Sequence, residues 1–167
     1  MPRTLLLAEP RGFCAGVVRA IDALDRLLNQ VDEPVYVFHE IVHNRYVVDG
    51  FRSRGAVFID DISEAPDGSV VVFSAHGVDP AIIKNAECRE LRVIDATCPL
   101  VTKVHLEARK AAKDGYKILL VGHDGHDEVQ GTKGEAPDMT SVVDSAQDVL
   151  GISEPQAPVF VVTQTTL

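Results

Sequence analysis

Short β-branched runs alternate with helical patterns along the whole chain, and this alternation limits the fold more than any other feature. Strands are expected near Leu5–Leu7, Val35–Phe38, Ala56–Ile59, Val70–Phe73, Arg92–Ile94, Lys117–Val121, Ser141–Val143 and Val159–Val162. Helices are expected near Val17–Leu28, Asn44–Ser53, Pro80–Arg89, Leu100–Lys113 and Ala146–Leu150. The first places Val17, Ala20, Ile21, Leu24, Leu27 and Leu28 on one helical face. Asp79-Pro80 supplies an N-cap and a proline at the first helical position. Gly50, Gly55 and Gly115 stand where helices should stop. Strands separated by helices of this length form mainly parallel sheets, so the class is α/β.

In such sheets ligands bind outside the carboxyl ends of the strands. The reactive residues of this chain fall there. Cys14 follows the first run in Pro10-Arg-Gly-Phe-Cys-Ala-Gly16, His43 follows Val35–Phe38, and His76 follows Val70–Phe73. Cys98 follows Arg92–Ile94 in Asp95-Ala-Thr-Cys-Pro99. His126 and Glu128 follow Lys117–Val121, and Thr163, Thr165 and Thr166 follow the last run. Gly12 and Gly16 allow the backbone to approach a ligand beside Cys14. Helix N-termini after both Cys14 and Cys98 suit the thiolate, the metal-binding form, and Cys98-Pro99 is a pair found at iron–sulfur ligands. Cys14 equally fits a small packing residue. Glu128 fits either a first-turn helix acid or a proton donor. Cys88 reads as structural, His105 as a solvated helix residue, and His123 as loop support or ligand; His39 has no assigned loop role. His39-Glu-Ile-Val-His43 matches the H-E-x-x-H zinc pattern, but that pattern needs a helix and this segment continues a strand.

The charge of −9 over 167 residues disfavours nucleic acid and anionic membranes as partners, while leaving room for a small anion held by local N–H groups and imidazoles. No run approaches the roughly 20 apolar residues of a membrane helix, no export signal is visible, and a cytoplasmic location is expected. The 3 cysteines are too few and too far apart for a disulfide framework, which leaves metal or redox chemistry. The chain stops at Leu167 just after an apolar strand, where a covering helix should follow, so a truncated chain is expected.

Taken in order, the segments Pro10-Arg-Gly-Phe-Cys-Ala-Gly-Val17, His43-Asn-Arg-Tyr-Val-Val-Asp49, Phe73-Ser-Ala-His-Gly-Val78, Asp95-Ala-Thr-Cys-Pro-Leu-Val-Thr-Lys-Val-His105, Gly122-His-Asp-Gly-His-Asp-Glu-Val129 with Gly131-Thr132, and Thr163-Gln-Thr-Thr-Leu167 resemble the 4-hydroxy-3-methylbut-2-enyl diphosphate reductase family. The resemblance implies small α/β lobes, three in the family, in a trefoil around a central [4Fe–4S] cluster. Residues 1–98 would form the first lobe, with the first strand packing on the absent third lobe, and residues 99–167 the second. By motif Cys14 and Cys98 are two of three cluster ligands. His43, His76 and His126 match histidines around the diphosphate, Glu128 the proton-delivering residue, and Thr165 a threonine that binds and assists the substrate hydroxyl. The reaction implied is reductive removal of that hydroxyl as water, giving isopentenyl and dimethylallyl diphosphates, with a ferredoxin or flavodoxin as electron donor. Three departures stand out. The third cysteine and a Ser-x-Asn diphosphate loop lie in a region this chain lacks, Cys88 does not match that third ligand, and Glu135 stands where the family usually has Gln. The chain alone is therefore expected to be inactive. A non-catalytic diphosphate-binding module and a zinc site built from Cys14, Cys98 and histidines share the same residues.

Overall fold

Every strand pairing among the described residues is parallel, as the alternation of strands and helices requires. The computed structural model describes residues 3–152 and 157–167. Its elements are α1 (Ala15–Leu28), β1 (Val35–Phe38), α2 (Arg45–Ser53), β2 (Ala56–Ile59), β3 (Val70–Phe73), α3 (Pro80–Cys88), β4 (Arg92–Asp95), α4 (Pro99–Lys113), β5 (Lys117–Val121), α5 (Asp127–Gly134), β6 (Thr140–Val143), α6 (Ala146–Gly151) and β7 (Val159–Thr163). The strands make a 4-stranded sheet ordered β2-β1-β3-β4 and a 3-stranded sheet ordered β6-β5-β7. Chain order therefore reverses direction at one place in each sheet, between β1 and β3 and between β5 and β7.

The first sheet is covered on both faces, which is why β3 is an unbroken apolar run. Val70 and Val72 face one core with Val35, Val37, Ala20 and Leu24. Val71 and Phe73 face the other with Phe38, Ile59, Ile62 and Ala86. This is the two-residue period of a strand buried on both sides. The second sheet packs Ile118, Leu120 and Val162 against Ala108 and Ala111 of α4 and Val129 of α5. Side chains end the helices as the sequence implies. Asn44 accepts from the Val47 N–H at 3.1 Å and Asp79 from the Ala81 N–H at 2.7 Å. Gly55 and Gly115 leave their helices at φ +98° and +84°, where other residues are strained.

Four expectations need correction. Leu5–Leu7 is not a strand: it pairs with no sheet edge and its residues are 82%, 88% and 65% exposed. A strand needs a neighbour for its backbone groups, and these residues have none among those described. Gly50 lies inside α2, which runs on to Ser53. The helix α5 is missing from the expected helices, although Glu128 stands in its first turn as one of its two readings had it. Cys88 ends α3 with an exposed thiol instead of packing in the core. Among the described residues no helix is long and apolar enough to cross a membrane.

Leu24 is fully buried where α1 docks on the sheet. Leu24→Ala is expected to lower unfolding free energy by about 2–5 kcal/mol, and Asn44→Ala by about 1 kcal/mol through the lost cap. Urea midpoints at unchanged slope would measure both.

Candidate functional site

Hydrogen bonding continues past the ends of the strands and holds the loops in register. Ala96 N–H donates to Phe73 C=O at 3.1 Å, Ala75 N–H to Ile41 C=O at 3.1 Å, and Cys98 N–H to Ala75 C=O at 2.9 Å. The segments that carry His43, His76 and Cys98 are thus stitched side by side. In the second sheet Gly122 N–H donates to Val143 C=O at 3.1 Å and Gln164 N–H to Val121 C=O at 2.8 Å. Each reversal of strand order opens a crevice of the kind that binds ligands in α/β sheets. The two crevices face each other, and His43 and His126 meet across the gap, Nε2 to Nε2, at 3.1 Å. Between them lies a cavity of about 450 Å³ lined by Phe13, Val17, Val42, His43, Asn44, His76, His123, His126, Gln164 and Thr166.

Three imidazoles form one wall. The rings of His43 and His76 are stacked at 4.0 Å and 19°, and His126 stands edge-on to both. The surrounding partners fix their hydrogens. His126 caps α5, its Nδ1 accepting from the Glu128 N–H at 3.1 Å, so its ring hydrogen sits on Nε2 and donates to His43 Nε2. His43 then carries its hydrogen on Nδ1, facing Glu40 Oε2 at 3.4 Å. His76 is 6% exposed. Burial and then the neighbouring His43 push it down to about 4, so the ring is neutral near pH 7. Burial and His43 also lower His126.

Glu128 is 1% exposed, deeper than either reading of the sequence requires. The Thr165 N–H donates to its Oε1, and the Thr166 hydroxyl to its Oε2 at 3.3 Å. Gln164, 4% exposed and absent from the sequence reading, organises this corner: its Oε1 accepts from the His123 N–H at 3.0 Å and its Nε2 donates to Thr166 Oγ1 at 2.7 Å. Thr165 is exposed and meets Glu128 through its backbone, while Thr166 presents a side chain to the cavity. Thr163 closes β7.

Cys14 and Cys98 are the N-cap residues of α1 and α4, and neither side chain makes a capping hydrogen bond. Both thiols are free. They converge on Gly16: a Cβ there would meet Cys98 Sγ at 2.5 Å and Cys14 Sγ at 3.9 Å. Gly16 is thus needed for the sulfurs to crowd its face. Two unpartnered thiols around one small space suit a soft metal or an iron–sulfur cluster. His43, His76 and Asp127 also offer ligand atoms within 4.8 Å of one another. Yet a metal lies in the plane of each imidazole that binds it, and two stacked rings cannot both satisfy one ion.

One histidine differs from its sequence reading, and another gains a partner that the sequence did not show. His105 is 8% exposed, not solvated. Its Nδ1 donates to Glu135 Oε1 at 3.1 Å, and Arg109 Nε donates to the other oxygen at 2.8 Å. Burial lowers the imidazole against the pull of Glu135, and Nε2 is left without a partner, wedged against Gly77 and Gly131. The positions 101, 105, 108 and 111 share one helical face, so the spacing of Val101, Ala108 and Ala111 held the signal. His39 does not form a zinc motif with His43. It sits at φ +58° beyond β1 and pairs with Asp127, Nδ1 to Oδ1, at 2.7 Å. His123 bonds Asp144 at 2.8 Å from the cavity rim.

A family model described as LytB protein matches residues 5–167. The chain is 58% identical over 167 residues to a 4-hydroxy-3-methylbut-2-enyl diphosphate reductase of Rhodopirellula baltica, covering 99% of this chain and 52% of that protein. A reductase of the same name from Mycolicibacterium vanbaalenii is 55% identical, with 99% of this chain and 49% of that protein covered. The chain spans about half the length of the curated relatives it matches. Its fold is similar to the solved E-1-hydroxy-2-methyl-but-2-enyl-4-diphosphate reductase of Plasmodium falciparum, with a TM-score of 0.92 at 46% identity over 95% of this chain and 50% of that one. A second solved structure, a (E)-4-hydroxy-3-methyl-but-2-enyl diphosphate reductase described as the terminal enzyme of the non-mevalonate pathway, gives 0.79 at 33% identity over 98% of this chain and 58% of that one.

The buried histidines set an acid limit on stability. Between pH 6.5 and about 4 an unfolded His76 binds a proton that the native one refuses. The unfolded chain then holds more protons, so stability falls as pH falls through that window, by on the order of 3 kcal/mol. His39 is raised by its bond to Asp127, so its contribution is present below its ordinary value and is lost as pH rises. Urea midpoints across the acid range should decline for the wild type and flatten for His76→Asn.

Proposed function

The chain belongs to the LytB protein family, and from that premise we propose that it forms two of three lobes of a [4Fe–4S] reductase acting on 4-hydroxy-3-methylbut-2-enyl diphosphate. Residues 1–98 make the first lobe and 99–167 the second, in a trefoil whose remaining lobe brings a third thiolate. The reaction takes the substrate, two electrons and two protons to water and isopentenyl or dimethylallyl diphosphate. A ferredoxin or flavodoxin delivers the electrons. The observation that carries the reading is the meeting of the two crevices, with convergent thiols at Gly16 on one side and three imidazoles on the other.

Each residue's part follows from its surroundings. Cys14 and Cys98 hold the cluster through the sulfurs that face Gly16. When bound, a cluster with one iron not held by cysteine supplies electrons and a Lewis-acid position for the hydroxyl. His43, His76 and His126 take the diphosphate. His126 turns its Nε2 hydrogen from His43 to a phosphate oxygen, and the anion offsets the cost of charging the buried rings. Glu128 is the group that delivers protons, from a corner closed to water where Thr165 N–H and the Gln164-anchored Thr166 fix its oxygens. Thr165 is the hydroxyl that meets the substrate's own. Cys14 and Cys98 supply two of the three thiolates, and turnover requires the third.

The test is a chimera in which this chain replaces the matching half of the Rhodopirellula baltica protein. It is reconstituted anaerobically with iron and sulfide and assayed with a reduced mediator. Both products should form. Glu128→Gln should slow turnover by about 100-fold or more, and Cys14→Ser or Cys98→Ser should abolish the brown cluster absorption. Stoichiometric zinc without iron after anaerobic purification, or pyrophosphate binding by a chimera that never turns over, would instead favour a zinc site or a non-catalytic diphosphate module.

A further inference from the structure

Asp127 opens α5 and touches histidines of the first sheet with both carboxylate oxygens. Oδ1 pairs with His39 Nδ1 at 2.7 Å, and Oδ2 faces His76 Nδ1 at 4.0 Å. His39 is built to hold that carboxylate. Its Nε2 reaches the Asp60 C=O at 3.2 Å and its ring stacks on Phe38 at 4.0 Å. A carbonyl and a carboxylate only accept, so a ring bonded to both carries two hydrogens and is an imidazolium. The backbone aims it from the left-handed region, a conformation that non-glycine residues rarely adopt. An ion pair so placed spans the two halves of the molecule beside the cavity.

We propose that Asp127, clamped by His39, is the positioning residue that lets His76 bind diphosphate. The proposal rests on the reading of His43, His76 and His126 as the diphosphate wall. Ser74 Oγ at 3.3 Å and Asp127 occupy the Nδ1 side of His76, which leaves Nε2 as the atom for the ligand. To donate from Nε2 while Nδ1–H points at Asp127, His76 must carry both hydrogens. His43 and His126 face it and oppose that charge, His39 opposes it from farther away, and His105 approaches only the neighbouring Gly77. Asp127 is the carboxylate on its free flank among the described residues. The carboxylate behind the ring thus does what the acid of a catalytic triad does, holding orientation and stabilising the imidazolium without taking the proton. At 4.0 Å it stands just beyond hydrogen-bond range, and the bond closes when the anion draws a proton onto the ring.

Histidine ring NMR signals of the chimera described above, titrated with inorganic pyrophosphate at a series of pH values, test the assignment. In the wild type the His76 signal should shift, and its titration midpoint should rise when pyrophosphate is bound. Asp127→Asn should bind roughly tenfold more weakly, the scale of losing an outer partner behind a ligand-binding imidazole, and its His76 midpoint should stay low. Asp127→Glu, which keeps the carboxylate, should retain the rise. His39→Asn tolerates the backbone and removes the clamp, and should weaken binding in the same direction even if Asp127→Asn folds poorly. Unchanged affinity and an unchanged rise in Asp127→Asn, or in His39→Asn where that alone folds, overturn the role of Asp127 and leave the diphosphate wall intact. A wild-type His76 signal that ignores pyrophosphate overturns the diphosphate wall and this inference with it.

Discussion

Parallel pairing is the constraint on which the rest depends. A parallel strand cannot turn straight back into its neighbour, so the chain crosses back along the sheet, as a helix everywhere within a sheet except between β2 and β3, and the loop after each strand emerges at the same end. Where strand order reverses, successive loops leave in opposite directions and a crevice opens. Both sheets reverse once, at β1/β3 and at β5/β7. His43 and His76 come from the first reversal, and His126, Glu128 and the Gln164–Thr166 segment from the second. Backbone bonds beyond the strands then carry the register outward as far as Cys98. The site is therefore a product of topology before it is a product of chemistry.

Much of this was legible in the sequence because it is local. Strand runs, caps and post-strand loops are written in neighbouring residues, and His43, His76, His126 and Cys98 follow strands as the pattern expects, whereas the run before Cys14 is no strand. What was hidden is non-local. The helix α5 contains Gly131 and Gly134, poor helix formers, and only its packing explains them. A Cβ on Gly131 would press on His105, and one on Gly134 would collide with the Asp79 carboxylate. Leu5–Leu7 has the composition of a strand and pairs with no strand among the described residues. His39 and Asp127 lie far apart in sequence, and nothing in either segment announces their bond.

The burial of charge and polarity follows the same division. His76, Glu128 and Gln164 are nearly out of solvent; His76 bonds Ser74 of its own loop, while Glu128 and Gln164 find partners in other segments. Glu128 is held by the chain after β7, and His126 accepts an N–H from its own helix start. Such groups are expensive to bury alone and tolerable once paired. Each half thus satisfies most of its own buried groups, and the two are joined across the cavity wall by His43 with His126 and by His39 with Asp127.

The small residues at the junction carry one more consequence. Gly77, Gly131 and Gly134 meet His105 and Asp79 with no room for a methyl group, so they act as a gauge. They set how closely the helices of the two halves approach, and through that the gap between His43 and His126. A change at any of them would be felt as an altered bite of the whole cleft, at a distance from the substituted atom. The width available to a ligand is thus specified by residues that never touch it.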